Sequence, residues 1–334
     1  MSIQYRLFDE LPATRASLPE SITPPDLPLR PRVARPLSPL QLCVLGSGSG
    51  GNSTVVRLGK CAILLDAGFG PATTARRLQQ TGLTVGDIKA ICVSHLDADH
   101  FRPTWINTLV GFGIRVFLHR WHRKHLDQIE GSETLYNADL VRFFENDPFD
   151  PFAGHTATGG ASERIAISTV RLPHDDKGTS AFHIQTAYGR IGFATDLGHV
   201  PDELVRAFAG VDVLLIESNY DPQMQLTSSR PAFLKKRIMG GHGHLSNEQC
   251  LAVCRRIADA SPHGNPQRIV LLHRSQQCNT AELVREVFAG EPRFAKRVTL
   301  TEQRRRTPWI EVKRLRPVDR GQMSLLAPAP TAVP

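Results

Sequence analysis

Ser94-His95-Leu96-Asp97-Ala98-Asp99-His100 sets two histidines and two aspartates in six positions, directly after the apolar run Ile88-Lys89-Ala90-Ile91-Cys92-Val93. The run has the length and composition of a buried strand. A strand holds its backbone rigid, and the turn that leaves it can fold several side chains onto one point. His95 and Asp97 alternate with Leu96 and share a face in extended geometry, so Asp99 and His100 can reach a second centre. Two ions held close together need this many ligands from one turn. A polar loop after a strand is the plainer reading, but four candidate ligands in six positions are dense for it.

Working outward, the 334 residues suffice for a large core, as one big domain or two. Hydrophobic residues make up 41% and charged residues 22%, ordinary values for a soluble globular protein. No apolar run has the length of a membrane span, and residues 1–12 lack the basic and apolar regions of a secretory signal, so no membrane partner is expected. The six cysteines (43, 61, 92, 250, 254, 278) form no Cys-x-x-Cys pair, which points to reduced core thiols in a cytoplasmic protein. Cys250 and Cys254, one helical turn apart, mark a buried helix face rather than a ligand pair. The net charge of +8 favours contact with polyanions without saying which. Residues 1–38 are proline-rich and aperiodic and are expected to be a disordered arm; 317–334 read as a similar tail, leaving 39–316 as the folded body.

Within the body, 41–45, 54–58 and 62–66 read as strands. The Gly46-Ser47-Gly48-Ser49-Gly50-Gly51-Asn52-Ser53 loop between the first two lacks a P-loop lysine and reads as a hairpin turn. Helical character follows over 71–82 and 103–110, with a strand at 114–118. The segment 119–163 reads as irregular. Its start, His119-Arg120-Trp121-His122-Arg123-Lys124-His125, spaces three histidines along one side of a helix. A second metal site is conceivable there, but the interleaved basic residues favour a solvated basic surface. Strands are expected at 165–172, 180–186, 190–195, 211–216 and 268–272, with short ones near Val298 and Ile310. Helices are expected at 200–208, at 247–260 behind a Ser246/Gln249 capping box, and after Asn279-Thr280. The arrangement suggests two sheets packed face to face with helices outside, an αββα sandwich.

A dinuclear site in the opening turn requires its remaining ligands just past other buried strands. His174 follows Val170-Arg171-Leu172-Pro173, Asp196 follows Ile191-Gly192-Phe193-Ala194-Thr195, and His273 follows the strand ending at Leu272. Each alone is a weak signal, but a repeated strand-then-ligand pattern is strong. Asp196 has two oxygens and can bridge both ions. Glu217 also ends a buried strand and can orient a ligand from behind.

The series His95-x-Asp97-x-Asp99-His100, His174, Asp196, His273 resembles the metallo-β-lactamase superfamily. Within it the chain is most similar to the YycJ/WalJ-type branch of exonuclease-like proteins, through the glycine-rich loop, Pro173-His174-Asp175, Ala194-Thr195-Asp196, Glu217-Ser218-Asn219-Tyr220-Asp221, Leu234-Lys235-Lys236-Arg237-Ile238, Gly243-His244-Leu245-Ser246-Asn247 and His273-Arg274-Ser275. The resemblance spans roughly 40–290. It implies an α/β fold, an αββα sandwich of two packed mixed sheets with outer helices. It also implies one divalent ion on His95, Asp97 and His174, and a second on Asp99, His100 and His273, with Asp196 bridging. The family's usual motif has a histidine where this chain has Asp97. Aspartate is a harder, charged donor and tilts preference from zinc toward manganese or iron.

The function expected from this is a metal-dependent phosphodiesterase acting on nucleic acid, DNA in the first place, through hydroxide held by two metal ions. Asp99, Asp196 and His244 are its candidate catalytic residues, His244 resembling the phosphate-contacting histidine of the nuclease branches. Arg304-Arg305-Arg306 and the +8 charge fit such a substrate. Two rivals stay open: a small-molecule hydrolase of the same fold acting on a lactone, thioester or cyclic nucleotide, and a non-catalytic metal-binding nucleic-acid adaptor. A redox diiron role ranks lower, because no flavin or rubredoxin-like segment accompanies it. Gln4-Tyr5-Arg6-Leu7-Phe8 and Gln322-Met323-Ser324-Leu325-Leu326 both resemble the glutamine-led peptide that bacterial DNA-maintenance proteins insert into the sliding clamp.

Overall fold

A computed structural model describes residues 39–154, 164–262, 264 and 266–315; the two arms, with both glutamine-led pentapeptides, lie outside the described residues. Seven strands form the first sheet. They are β1 (Leu40–Gly46), β2 (Ser53–Leu58), β3 (Cys61–Leu65), β4 (Ile88–Val93), β5 (Arg115–His119), β6 (Val141–Phe144) and the late β13 (Ile310–Glu311), in the order β13-β1-β2-β3-β4-β5-β6. The pairs from β13 to β3 are antiparallel, and those from β3 to β6 are parallel. The second sheet contains β7 (Ile165–Leu172), β8 (Thr179–Thr186), β9 (Arg190–Ala194), β10 (Val213–Glu217), β11 (Arg268–Leu272) and β12 (Val298–Leu300), in the order β12-β11-β10-β9-β8-β7. The second sheet is antiparallel from β7 to β9 and parallel from β9 to β12, so both sheets are mixed, as expected.

Side-chain alternation along the strands explains the layers. In β1, Leu40, Leu42 and Val44 enter one buried cluster while Cys43 and Leu45 enter another. The first cluster also holds Phe182 and Ile184 of β8, Val213 and Leu215 of β10, and Val270 and Leu272 of β11, so it is the interface between the sheets. The outer face of the first sheet packs Leu78 of α1 (Pro71–Leu78) with Ile106 and Leu109 of α2 (Ile106–Phe112). Strands buried on both faces read as near-continuous apolar runs, the signature that made 88–93 stand out.

Six further described helices are α3 (Arg123–Leu126), α4 (Ser132–Asn137), α5 (Asp202–Phe208), α6 (Pro222–Thr227), α7 (Ala232–Met239) and α8 (Asn247–Ala260); α9 (Ala281–Ala289) follows β11. Phe208 of α5, Cys250, Cys254 and Ile257 of α8, and Phe288 of α9 cover the outer face of the second sheet. Cys250 and Cys254 thus form the buried helix face expected of them. Ser246 accepts from Gln249 N at 3.2 Å while the Gln249 side chain accepts from Ser246 N at 2.8 Å, completing the capping box. No described helix is long and apolar enough to cross a membrane.

Two expectations need correction. The segment 119–163 is not uniformly irregular: α3, α4 and the edge strand β6 lie within it. All three are four to six residues long, too short for periodicity to reveal. Nor is 119–125 simply a solvated basic surface. Arg120, Arg123 and Lys124 are exposed, but His122 is fully buried with neither ring nitrogen hydrogen-bonded. The His119 ring stacks on Trp121 with centroids 3.4 Å apart, and the Arg171 guanidinium sits 4.6 Å over Trp121.

Burial, with His125 and His119 nearby, pushes the His122 imidazole down to about 3. Folded and unfolded chains are both neutral at this residue above its ordinary value. As pH falls below that value the unfolded imidazole takes a proton that the folded one refuses, so stability is lost progressively from about pH 6.5 toward pH 3. At pH 5 the loss from this residue is about 2 kcal/mol. His122→Phe is expected to remove that increment from the difference between urea-unfolding free energies at pH 7 and pH 5; an unchanged difference would show that His122 protonates freely in the folded protein.

Candidate metal centre

Five strands deliver polar side chains to one edge of the sandwich. β4 leads into 94–100, β3 into Asp66, β9 toward Asp196 and β11 into His273, while β10 ends on Glu217. Four of the six described non-glycine residues with left-handed backbone lie here: Asp66 (φ 61°), Asp175 (44°), Asp196 (56°) and His273 (51°). Such backbone costs of order 1–3 kcal/mol per residue and persists where the surroundings over-determine it. At Asp66, Asp196 and His273 it turns the chain just past the ends of β3, β9 and β11, and these side chains enter the cluster, whereas the Asp175 carboxylate pairs with Arg237.

The donors meet as the sequence grouped them. His95, Asp97 and His174 place ligand atoms within 4.8 Å of one another, and so do Asp99, His100 and His273. Asp196 joins His95 and His100 in a third such group. Its Oδ2 lies 2.7 Å from His100 Nε2 and its Oδ1 2.8 Å from His273 Nδ1, so one buried carboxylate spans the second trio. Asp97 is the most exposed of the seven at 38%, with Oδ2 3.9 Å from His95 Nε2 and Oδ1 3.9 Å from Lys177 Nζ.

Each histidine is pinned through Nδ1. His100 Nδ1 donates to Asp66 Oδ2 at 2.8 Å and His174 Nδ1 to the Gly243 carbonyl at 3.1 Å. His273 Nδ1 faces Glu217 Oε1 at 3.1 Å as well as Asp196. His95 Nδ1 lies 3.0 Å from Ser94 Oγ and 3.2 Å from Thr179 Oγ1. This leaves four Nε2 atoms for the centre, and that of His273 is buried with Asp99 Oδ2 3.4 Å away. Histidines held by one nitrogen, with the other offered beside carboxylates, are the donor set of a divalent transition-metal site, and the residues fit one.

The electrostatics agree. Burial, then the neighbouring His100, holds His95 far below its ordinary value, neutral as a ligand must be. Burial also opposes charge on His100 and His273, yet Asp196 beside both, with Asp66 and Asp99 around His100, raises both well above the ordinary range. The carboxylates thus demand positive charge at the point where the ligand atoms converge.

Several supporting residues were not singled out by sequence. Asp66 is fully buried; it takes Ser94 N at 2.8 Å, Ser94 Oγ at 3.0 Å and His100 Nδ1. Ser47 Oγ accepts from His273 N at 2.8 Å and donates to Asn52 Oδ1 at 2.7 Å, and Asn52 N donates to the Asp99 carbonyl at 2.7 Å. The glycine-rich loop is the β1–β2 hairpin connection, as expected, and also a brace under two donors. Asp66 carried the same strand-then-carboxylate signal as Asp196 but read as the last residue of its strand.

Glu217 does orient neighbours. It accepts from Leu197 N at 2.8 Å, His244 Nδ1 at 2.7 Å and His273 Nδ1. Burial works against a charged His244, but Glu217 and then Asp196 carry its pKa upward. His242, in contrast, is exposed and lines no part of the site. Six of the seven candidate donors, all but the fully buried His100, line a cavity of about 400 Å³ together with His244; Arg230, Leu234, Arg237 and Ile238 line it as well.

Comparison with known proteins places this geometry. The chain is 28% identical over 251 residues to "Exodeoxyribonuclease YycJ" of Bacillus anthracis, covering 74% of this chain and 86% of that one. It is 26% identical over equal shares to "Exodeoxyribonuclease WalJ" of Streptococcus pneumoniae. The metallo-beta-lactamase fold protein YhfI of Bacillus subtilis superposes with a TM-score of 0.57 at 14% identity, over 80% of this chain and 99% of its own, a likeness of fold. The model of the beta-lactamase superfamily domain matches residues 62–273, the stretch that carries every donor from Asp66 to His273. The chain belongs to the beta-lactamase superfamily.

Proposed function

We propose that this metallo-hydrolase cleaves phosphodiester bonds in nucleic acid, DNA in the first place, with two divalent ions. One would rest on His95, Asp97 and His174, the other on Asp99, His100 and His273, with Asp196 between them. The observation that carries this reading is the cavity itself, which sets six of the seven candidate metal donors, with His100 buried behind them, in the same space as Arg230. Its similarity to proteins named exodeoxyribonucleases supports a nucleic-acid substrate. The folded body between the two arms is the catalytic domain, and a cytoplasmic setting belongs to the same proposal.

When bound, the ions supply Lewis acidity toward a phosphate oxygen and a nucleophilic water near neutral pH. The chain's own residues do the rest. Asp66 and Glu217 fix the rings of His100 and His273, Asn52 holds the Asp99 backbone, and Asp196 spans its trio. His244 is held on Glu217 by Nδ1, which leaves Nε2 as the nitrogen available to substrate. Against burial, Glu217 and Asp196 raise its pKa, which favours a proton that it would give to the leaving oxygen. Asp97 as a hard donor favours manganese, or iron, over zinc. A second reading, hydrolysis of a small ester or cyclic nucleotide, draws on the cavity volume, which lies at the lower end of small-ligand sites.

Three tests follow from these roles. Wild-type protein with Mn²⁺ is expected to degrade single- or double-stranded oligonucleotides, His244→Ala to lose about 10²–10⁴-fold in kcat, and Asp196→Ala to be inactive. Equal cleavage by Asp196→Ala sinks the proposal, and activity confined to small chromogenic esters selects the second reading. Asp66→Asn should weaken Mn²⁺ binding about 10–100-fold in calorimetric titration while circular dichroism stays native; unchanged affinity would show that Asp66 does not orient His100. Contact with the bacterial sliding clamp is proposed on the two pentapeptides alone. Pull-down should be lost when Leu325 and Leu326, with Leu7 and Phe8, become alanine; retained pull-down removes the clamp from the proposal.

A further inference from the structure

The two arginines of the cavity wall are not equivalent. Arg237 is neutralised: its Nε donates to Asp175 Oδ1 at 2.9 Å and a second nitrogen to Oδ2. Arg230 meets only neutral groups. It donates to Gln225 Oε1 at 3.0 Å, Gln277 Oε1 at 3.1 Å and Ser275 Oγ at 3.4 Å, and enters no ion pair among the described residues. Gln225 is fully buried and its amide nitrogen has no partner, so its placement serves the guanidinium rather than its own hydrogen bonding. Ser275 and Gln277 lie just beyond His273, which fixes Arg230 relative to the donors. The result is a positioned, uncompensated charge beside the reaction centre.

Three residues further along, Phe233 on α7 is 75% exposed, and Leu226 on α6 is 56% exposed. These are two of the four large apolar side chains exposed among the described residues. Leu234, Arg237 and Ile238 of α7 line the cavity, and the exposed Phe233 directly precedes Leu234 on the same helix, one turn before Arg237. A held cation and a bare aromatic ring, here three residues apart in the chain, are the two elements on which single strands bind, backbone on the charge and base on the ring.

We propose that Arg230 and Phe233 form a subsite for the nucleotide next to the scissile bond, Arg230 holding its phosphate and Phe233 stacking on its base. The inference rests on the phosphodiesterase reading and names its substrate class: an unpaired strand or frayed end, because a base within a duplex has no free face for Phe233.

The test compares a single-stranded oligonucleotide with bis(4-nitrophenyl) phosphate, a diester with neither a second phosphate nor a base, both with Mn²⁺-loaded full chain. Arg230→Gln should lower the oligonucleotide-to-diester ratio of kcat/KM about tenfold and flatten the slope of log kcat/KM against log salt by about 0.7. Arg230→Lys should recover part of both, since it keeps the charge. Phe233→Ala should lower the ratio about 5- to 100-fold and reduce the preference for single over double strands, with Phe233→Tyr restoring both. Unchanged ratios in Arg230→Gln and Phe233→Ala overturn the subsite. So does equal loss on both substrates in Arg230→Gln without recovery in Arg230→Lys, which marks a bracing role, or a Phe233→Ala effect confined to self-association. If wild type cleaves neither substrate, the phosphodiesterase reading fails by itself. The subsite is then judged by fluorescence anisotropy of the labelled oligonucleotide, and binding undiminished in both variants overturns it.

Discussion

The carboxylate of Asp66 ties the donor turn at both ends. It holds Ser94 by backbone and hydroxyl where the turn leaves β4, and His100 by Nδ1 where the turn finishes. All three donors and both oxygens are buried, so each hydrogen bond is strong and none can be exchanged for water. With its two ends fixed to β3, the turn has little freedom left, and His95, Asp97 and Asp99 are carried to their places between those anchors. Glu217 does for the second sheet what Asp66 does for the first: it joins the backbone at Leu197 to the rings of His244 and His273. The centre therefore lies where two independently braced sheet edges meet, and its geometry is set by the way the sheets pack on Phe182, Leu215, Val270 and their partners.

What could be seen in the sequence was whatever depended on neighbours in the chain. The apolar runs before His95, His174, Asp196 and His273 announced buried strands, and a polar residue directly after each announced a shared edge. The αββα layering followed from the same runs. The brace from Ser47 to His273 joins residues 226 positions apart, and no local pattern encodes it. β6, with four residues, and α6, with six, are too short to show a period. His122 misled for a different reason: flanking arginine and lysine suggested water, whereas the fold buries the ring between them and leaves the cations outside.

The cavity joins two opposed electrostatic regimes. On one side carboxylates outnumber the charges available to balance them, and His100 and His273 are pushed toward protonation. On the other, Arg237 is satisfied by Asp175 while Arg230 is held only by amides and a hydroxyl. A divalent ion would answer the first imbalance and a polyanion the second, so the two occupants would neutralise one another within a single cavity.

The left-handed backbone at Asp196 and His273 has a consequence for how this lineage can vary. At those positions the main chain itself is unusual, the side chain is buried, and few replacements fit whatever their affinity for metal. Asp97 sits on ordinary backbone and is the most solvent-open of the donors. It can be exchanged without rebuilding a strand end. Under the proposed ligand set, a change of metal preference at Asp97 would leave every strand end intact, so the position where this sequence departs from the usual motif is one its fold leaves free to change.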